Sequence, residues 1–169
     1  MDRALTRIIA TGLGTGYLPG APGTWGSAVV VGLFLLIAWL TGGEGTVVWL
    51  AMALLAAASG VACVAAGRSV EAAFGKKDPG RCVIDEWAGQ AVTFMLLPVG
   101  AGWQDWLIVA GIGFLYFRVL DIVKPPPARR LEKLPAGWGV LTDDLVAGLY
   151  ANLAAQISLR WCYFQTWTW

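Results

Sequence analysis

Long apolar runs, separated by short polar or glycine-containing breaks, organise this sequence. Residues 2–10 alternate charged and apolar positions at helical spacing and predict a short amphipathic helix. Residues 11–27, TGLGTGYLPGAPGTWGS, carry too many glycines and prolines to form one regular helix. Five apolar segments follow: Ala28 to Leu40, Thr46 to Ala66, about Ala88 to Leu97, Trp106 to Phe117, and Leu145 to about Leu159. Only the second clearly reaches the roughly 20 residues needed to cross a hydrocarbon core of about 30 Å. The pattern predicts an all-α fold, a compact multi-helix bundle in one domain spanning 1–169. It reads as a polytopic membrane protein with about four or five apolar helices.

Composition moves the picture the same way. The chain has 57% hydrophobic and 14% charged residues among 169, with a mean hydropathy of +0.64; a soluble domain carries about 25% charged residues. The charges are also unevenly placed. With a cytoplasmic N-terminus and one crossing per segment, Arg3, Arg7, Arg68, Lys76, Lys77, Arg81, Arg118, Lys124, Arg129, Arg130 and Lys133 share the cytoplasmic side. Only Arg160 lies near the far end. That is the positive-inside pattern, and Trp161, Trp167 and Trp169 suit a membrane–water interface. The competing reading is a soluble, unusually apolar bundle with the same polar loops, and it rests on the shortness of several segments. Arg3 and Arg7 flank too short an apolar stretch for a signal peptide.

Several chemistries are excluded. A net charge of +1 without a basic stripe gives no footprint for nucleic acid. Cys63, Cys82 and Cys162 lack metal-ligand spacing and read as small apolar residues. Histidine is absent, which removes His-nucleophile phosphatases, Ser-His-Asp and Cys-His hydrolases and imidazole zinc sites. There is no GxxxxGK[ST] phosphate loop, and Cys63 to Arg68 is one residue short of a C-x₅-R phosphatase loop.

Acids therefore carry the candidate chemistry. Asp85-Glu86 stands at the entrance of the third apolar helix, Asp143-Asp144 at that of the fifth, and Asp121 at the end of the fourth. Taken singly, each pair reads as a helix cap, because acids are favoured at helix N-termini. Two pairs and a fifth acid on one face point to a shared cation instead. Asp85 to Gly89 and Asp144 to Gly148 share a D-x-x-A-G pattern, whose small residues would let two helices approach closely. Oxygen donors without histidine or clustered cysteine suit Mg²⁺, which keeps positions open for phosphate oxygens. Arg118, Asp121 and Lys124 follow at i, i+3 and i+6, and form a candidate phosphate clamp if the helix continues that far. Arg118 neutralising Asp121, with Lys124 snorkelling to the surface, is the simpler alternative. In the Gly-rich segment, Thr24 and Ser27 offer hydroxyls to phosphate or cap the helix beginning near Gly26.

Three blocks carry a resemblance. LGTGYLPGAPGTWGS, DPGRCVIDEWAGQ and FRVLDIVKPPPARRLEKLPAGWGVLTDDLVAGLYANL occur in that order over roughly half the chain. Together the chain resembles the phosphatidylglycerophosphatase A family. The resemblance implies a mostly helical, Mg²⁺-dependent enzyme of the bacterial inner membrane. Such an enzyme removes the terminal phosphate of phosphatidylglycerophosphate, an anionic phospholipid in the bilayer, at a site facing the cytoplasm. Carried over, it implies Asp85, Glu86, Asp121, Asp143 and Asp144 as metal ligands, with Asp85, Glu86, Asp121 and Asp144 also catalytic. It implies Arg118, Lys124 and Thr24 as phosphate-binding residues. Where family members often have a second glycine and a methionine before the paired aspartates, this chain has Ala136-Gly-Trp-Gly-Val-Leu-Thr142, so local packing there is expected to differ. Water is the expected nucleophile, with an aspartyl-phosphate as the alternative. A transporter or channel subunit is the competing class, although its charges should line a path rather than cluster at helix ends.

Overall fold

A computed structural model of the chain describes residues 2–75, 80–131, 134 and 137–163, with the side chains of 68 and 71–73 left aside. Lys76, Lys77, Lys133, Trp167, Trp169 and the Arg68 side chain, all used in the orientation argument, lie outside the described residues. The described elements are helical throughout: α1 (Arg3–Ala10), α2 (Pro22–Thr41), α3 (Gly45–Phe74), α4 (Ile84–Phe94), α5 (Trp103–Val123), α6 (Ala128–Leu131) and α7 (Gly137–Ile157). A 3₁₀ turn at Thr15–Tyr17 precedes α2, and a π-helical turn at Ser158–Tyr163 extends α7.

Three of these helices, rather than four or five, are long and apolar enough to cross a membrane: Pro22–Thr41, Gly45–Gly67 and Trp103–Val123. The first and third outrun their expected lengths. Pro22 starts α2 at its first turn, where the missing N–H costs nothing, and Gly42 in the left-handed conformation closes it. The expected third segment is α4, whose 11 residues span only about 16 Å. The fifth, α7, is 21 residues long but interrupts its apolar surface with Asp143, Asp144 and Asn152. No more than 28% of any of the three candidate spans is buried, so apolar side chains such as Leu54 and Ile122 point outward from the bundle.

The short helix occupies the middle. Nine of the eleven residues of α4 are buried, and α2, α3, α5 and α7 all pack against it. A helix walled on every side is expected to be apolar or small all round, and Ala88, Gly89, Ala91 and Phe94 satisfy this. Against α2 and α5, Phe94 stacks on Phe34 at 4.5 Å between ring centroids and lies over Gly113. Against α7 the contact is backbone to backbone. A Cβ on Gly148 would strike the Gly89 carbonyl, and one on Gly89 would strike the Asp144 carbonyl and the Phe117 ring. The two glycines of the repeated D-x-x-A-G pattern therefore meet at the α4–α7 crossing.

Because α4 is short, the carbonyls of its last turn and of the segment just after it fall inside the bundle, where each needs a donor. The donors come from other helices. Asn152 Nδ2 donates to the carbonyls of Thr93 and Met95, Trp49 Nε1 to that of Leu97 at 2.8 Å, and Arg160 Nη2 to that of Leu96 at 3.1 Å. Gln156 links the first and last of these, donating to Asn152 Oδ1 at 2.9 Å and accepting from Arg160 Nε at 3.2 Å. Arg160 is thereby buried with its charge engaged, which accounts for the one basic residue at the far end.

At the opposite end, the N-terminal segment wraps the entrance of α4. Val83 N–H donates to the Ala10 carbonyl at 2.8 Å, Gly12 lies against Val83 and Trp87, and Gly16 abuts the Arg81 carbonyl. α1 is fixed to α3 through Ala10, Ala66 and Val70.

Candidate metal and phosphate site

The helix ends that converge around the start of α4 bring distant acids together. Asp85, Glu86 and Asp144 each offer a carboxylate oxygen, and the three oxygens lie within 4.8 Å of one another. Asp85 and Glu86 stand in the first turn of α4. Asp144 does not cap α7: that helix starts at Gly137, roughly two turns earlier than the acidic pair implied, so Asp144 faces α4 from within α7. The Gly89–Gly148 crossing lies one turn further along each helix and sets the separation of the two sets of acids.

Asp121 and Asp143 stand outside this trio, each held by a cation. Arg118 Nη1 lies 3.0 Å from Asp121 Oδ2, and Lys124 Nζ pairs with the buried Asp143. Neighbouring residues on a helix point about 100° apart, which is why Asp143 and Asp144 turn to different partners. The expected Arg118–Asp121–Lys124 stripe does not form. α5 ends at Val123 and Lys124 adopts a left-handed conformation (φ +49°), which carries its side chain away from the α5 face and toward α7.

The first turns of α2 complete the wall. Gly23 sits so close to the Glu86 carboxylate that a Cβ there would collide with it, and the Arg118 guanidinium lies next to it. Arg118 also reaches Ser27 Oγ at 3.5 Å, and Ser27 Oγ donates to the Gly23 carbonyl at 2.9 Å. Thr24 is half-buried in the same turn. Since α2 begins at Pro22, Thr24 and Ser27 lie within the helix rather than capping one begun at Gly26. Gly23 was not among the expected site residues; its signal in the sequence is the PGTWGS motif itself, which brings a residue without a side chain to the place where a carboxylate must approach backbone.

Electrostatics make the trio unstable by itself. Burial, then repulsion from Asp85, raises Glu86 well above the usual carboxylate range. Burial, then Asp85 and Glu86, does the same to Asp144. Both acids lie outside the three candidate spanning helices. Glu86 Oε2 is buried and accepts no hydrogen bond among the described residues. A divalent cation among these oxygens would satisfy Glu86 and remove the repulsion. The donor set is hard: carboxylate oxygens alone, with the nearby Cys82 thiol held protonated because burial pushes it up. The residues present fit a hard divalent cation such as Mg²⁺, which Asp85, Glu86 and Asp144 could hold.

Comparison with known proteins agrees with the three sequence blocks. The family model for phosphatidylglycerophosphatase A matches residues 8–159. A Haemophilus influenzae protein named phosphatidylglycerophosphatase A is 34% identical over 155 residues, covering 91% of this chain and 88% of its own length. The Escherichia coli protein of the same name is 33% identical over 143 residues, covering 84% and 76%. A Bacteroides thetaiotaomicron protein named "Putative phosphatidylinositol-3-phosphatase" is 33% identical over 158 residues, covering 91% and 92%. No solved structure matches. With the acids, Arg118 and the glycine crossing all inside the matched span, the chain belongs to the phosphatidylglycerophosphatase A family.

Proposed function

We propose that this chain is a Mg²⁺-dependent lipid phosphatase that hydrolyses the terminal phosphomonoester of phosphatidylglycerophosphate, releasing phosphatidylglycerol and inorganic phosphate. The observation that carries this reading is the meeting of three carboxylates within 4.8 Å beside Arg118 in a chain of this family. The named substrates of its relatives differ in headgroup, but each is a phosphomonoester on an anionic phospholipid. Within that class, the match to the family model favours phosphatidylglycerophosphate.

In this mechanism the headgroup enters where α2, α4, α5 and α7 converge, while the acyl chains stay in the bilayer. An apolar groove of about 280 Å³ supports such an amphiphile: it runs between α2 and α5 from Ala28 and Phe114, beside Ser27 and one turn from Arg118, to Leu35 and Leu107. Arg118 binds the phosphoryl oxygens and stabilises the charge that spreads over them in the transition state. Lys124 and Thr24 flank the phosphate, and Asp121 and Asp143 hold the two cations in place. Asp85, Glu86 and Asp144 would hold Mg²⁺, which when bound would supply charge neutralisation and polarisation of the phosphoryl group. A carboxylate of the cluster takes the proton from the attacking water and passes it to the leaving glycerol oxygen as the P–O bond breaks. The charge pattern supports a bacterial inner-membrane location, the N-terminus and site facing the cytoplasm, in a single domain.

The test is phosphate release from the lipid by purified protein in mixed micelles. Release should stop with EDTA and return with Mg²⁺, and rapid-quench samples should hold no phosphoprotein. Release at an undiminished rate in EDTA would reject the cation, and a trapped phosphoprotein would reject attack by water. The transporter reading places charges along a path, whereas here they gather around the start of α4.

A further inference from the structure

We propose that Gln90 forms the floor of this site and that its side-chain amide binds the phosphate group handled there, a role that rests on the phosphatase reading above. Gln90 is 0% exposed, yet neither its Nε2 nor its Oε1 has a hydrogen-bond partner among the described residues. A buried amide left empty weakens the fold and calls for a reason. The bundle does not leave amides idle elsewhere, since Asn152 spends its donors on two carbonyls and its acceptor on Gln156.

Position supplies the reason. Glu86, one turn before Gln90, abuts Gly23 and is close to Arg118, whereas Phe94, one turn after, packs on Phe34 and Gly113. Residues spaced i, i+4 and i+8 share a helix face. Gln90 therefore looks into the cleft between α2 and α5, below the acids and above the apolar stack. Helical side chains lean back toward the helix N-terminus, which carries the amide up toward Glu86 and the mouth of the site. Glu86 Oε2, directly above, is the other polar atom on this stripe left without a hydrogen bond. An amide suits this place: its two N–H groups donate to phosphoryl oxygens and its carbonyl accepts from water, without adding charge to an acidic pocket.

The test compares Gln90→Met, which keeps the shape and removes the amide, with Gln90→Glu, which keeps the shape and repels an anion. Binding of inorganic phosphate to the folded, Mg²⁺-loaded protein is measured by calorimetry, beside melting temperature without phosphate. Both variants should lose roughly 10-fold or more in phosphate affinity, Gln90→Glu the more, and Gln90→Met should melt no lower than wild type because an unmatched polar group has gone. Wild-type phosphate affinity in Gln90→Met overturns the proposal whatever its melting temperature. The two readings fail separately. Wild-type protein that binds phosphate through Gln90 but never releases it from lipid defeats the phosphatase, not the floor.

Discussion

At the C-terminal end of α4 and in the segment just after it, the carbonyls of Thr93, Leu96 and Leu97 accept from Asn152, Arg160 and Trp49, side chains contributed by α7, the turn after it and α3. Toward its N-terminal end, from the first turn to the middle of the helix, Glu86 Oε2 and both polar atoms of Gln90 have no hydrogen-bond partner among the described residues. Both ends are buried in the same apolar bundle, so solvent does not explain the difference. Where the task is to hold a short helix in place, the polar groups are matched within the chain. Where the proposed function asks the helix to receive a ligand, they are left without a partner. A well-satisfied end and an unsatisfied one on a single helix thus separate architecture from chemistry.

Substitutions at the two ends should behave in opposite ways. The largest effect is expected at the unsatisfied end: Asp85→Asn or Asp144→Asn should lower kcat/KM by about 10³-fold or more, in the range of losing a catalytic group. Circular dichroism should show helicity unchanged, and wild-type turnover in both variants would dismantle the site. Next comes the crossing between the two sets of acids. Gly148→Val drives a branched side chain against the Gly89 carbonyl, and overpacking of this kind costs about 1–3 kcal/mol. It should therefore lower both denaturation midpoint and activity. At the satisfied end, Asn152→Leu strips donors from buried carbonyls, a loss of about 1–3 kcal/mol. Turnover per folded molecule should stay within a few-fold of wild type; a collapse in turnover with no loss of stability would erase the contrast. Smallest of all, Tyr163→Phe removes an exposed hydrogen bond to Asp105. Surface changes of this kind stay within about 0.5 kcal/mol, and a larger shift in the midpoint would contradict the exposure of that contact.

Much of this was legible in the sequence. Hydropathy located every large helix, because side-chain partition is a local property that each run carries for itself. The repeated D-x-x-A-G pattern pointed to the α4–α7 approach, because small residues at one spacing on two helices permit close packing, although a chain this rich in alanine and glycine also repeats such a pattern by chance. Boundaries were less legible. α2 begins at Pro22 and α7 at Gly137, both earlier than expected, since the apolar pattern starts only after the first polar turns. The partner of Lys124 was hidden for a different reason: a left-handed residue at the end of α5 redirects the side chain to an acid 19 residues away. Gln90 closes the DPGRCVIDEWAGQ block, but its role was not legible, for one amide in an apolar run reads the same whether it faces a neighbour, lipid or a ligand.

The contact between Gly89 and Gly148 has one more consequence. Backbone meets backbone at this crossing, with the Phe117 ring beside it, so main-chain contact helps set the distance between the acids of α4 and those of α7. The outward-facing leucines and isoleucines are then free to drift as a bilayer thickens, thins or changes its lipids, while the two glycines are not.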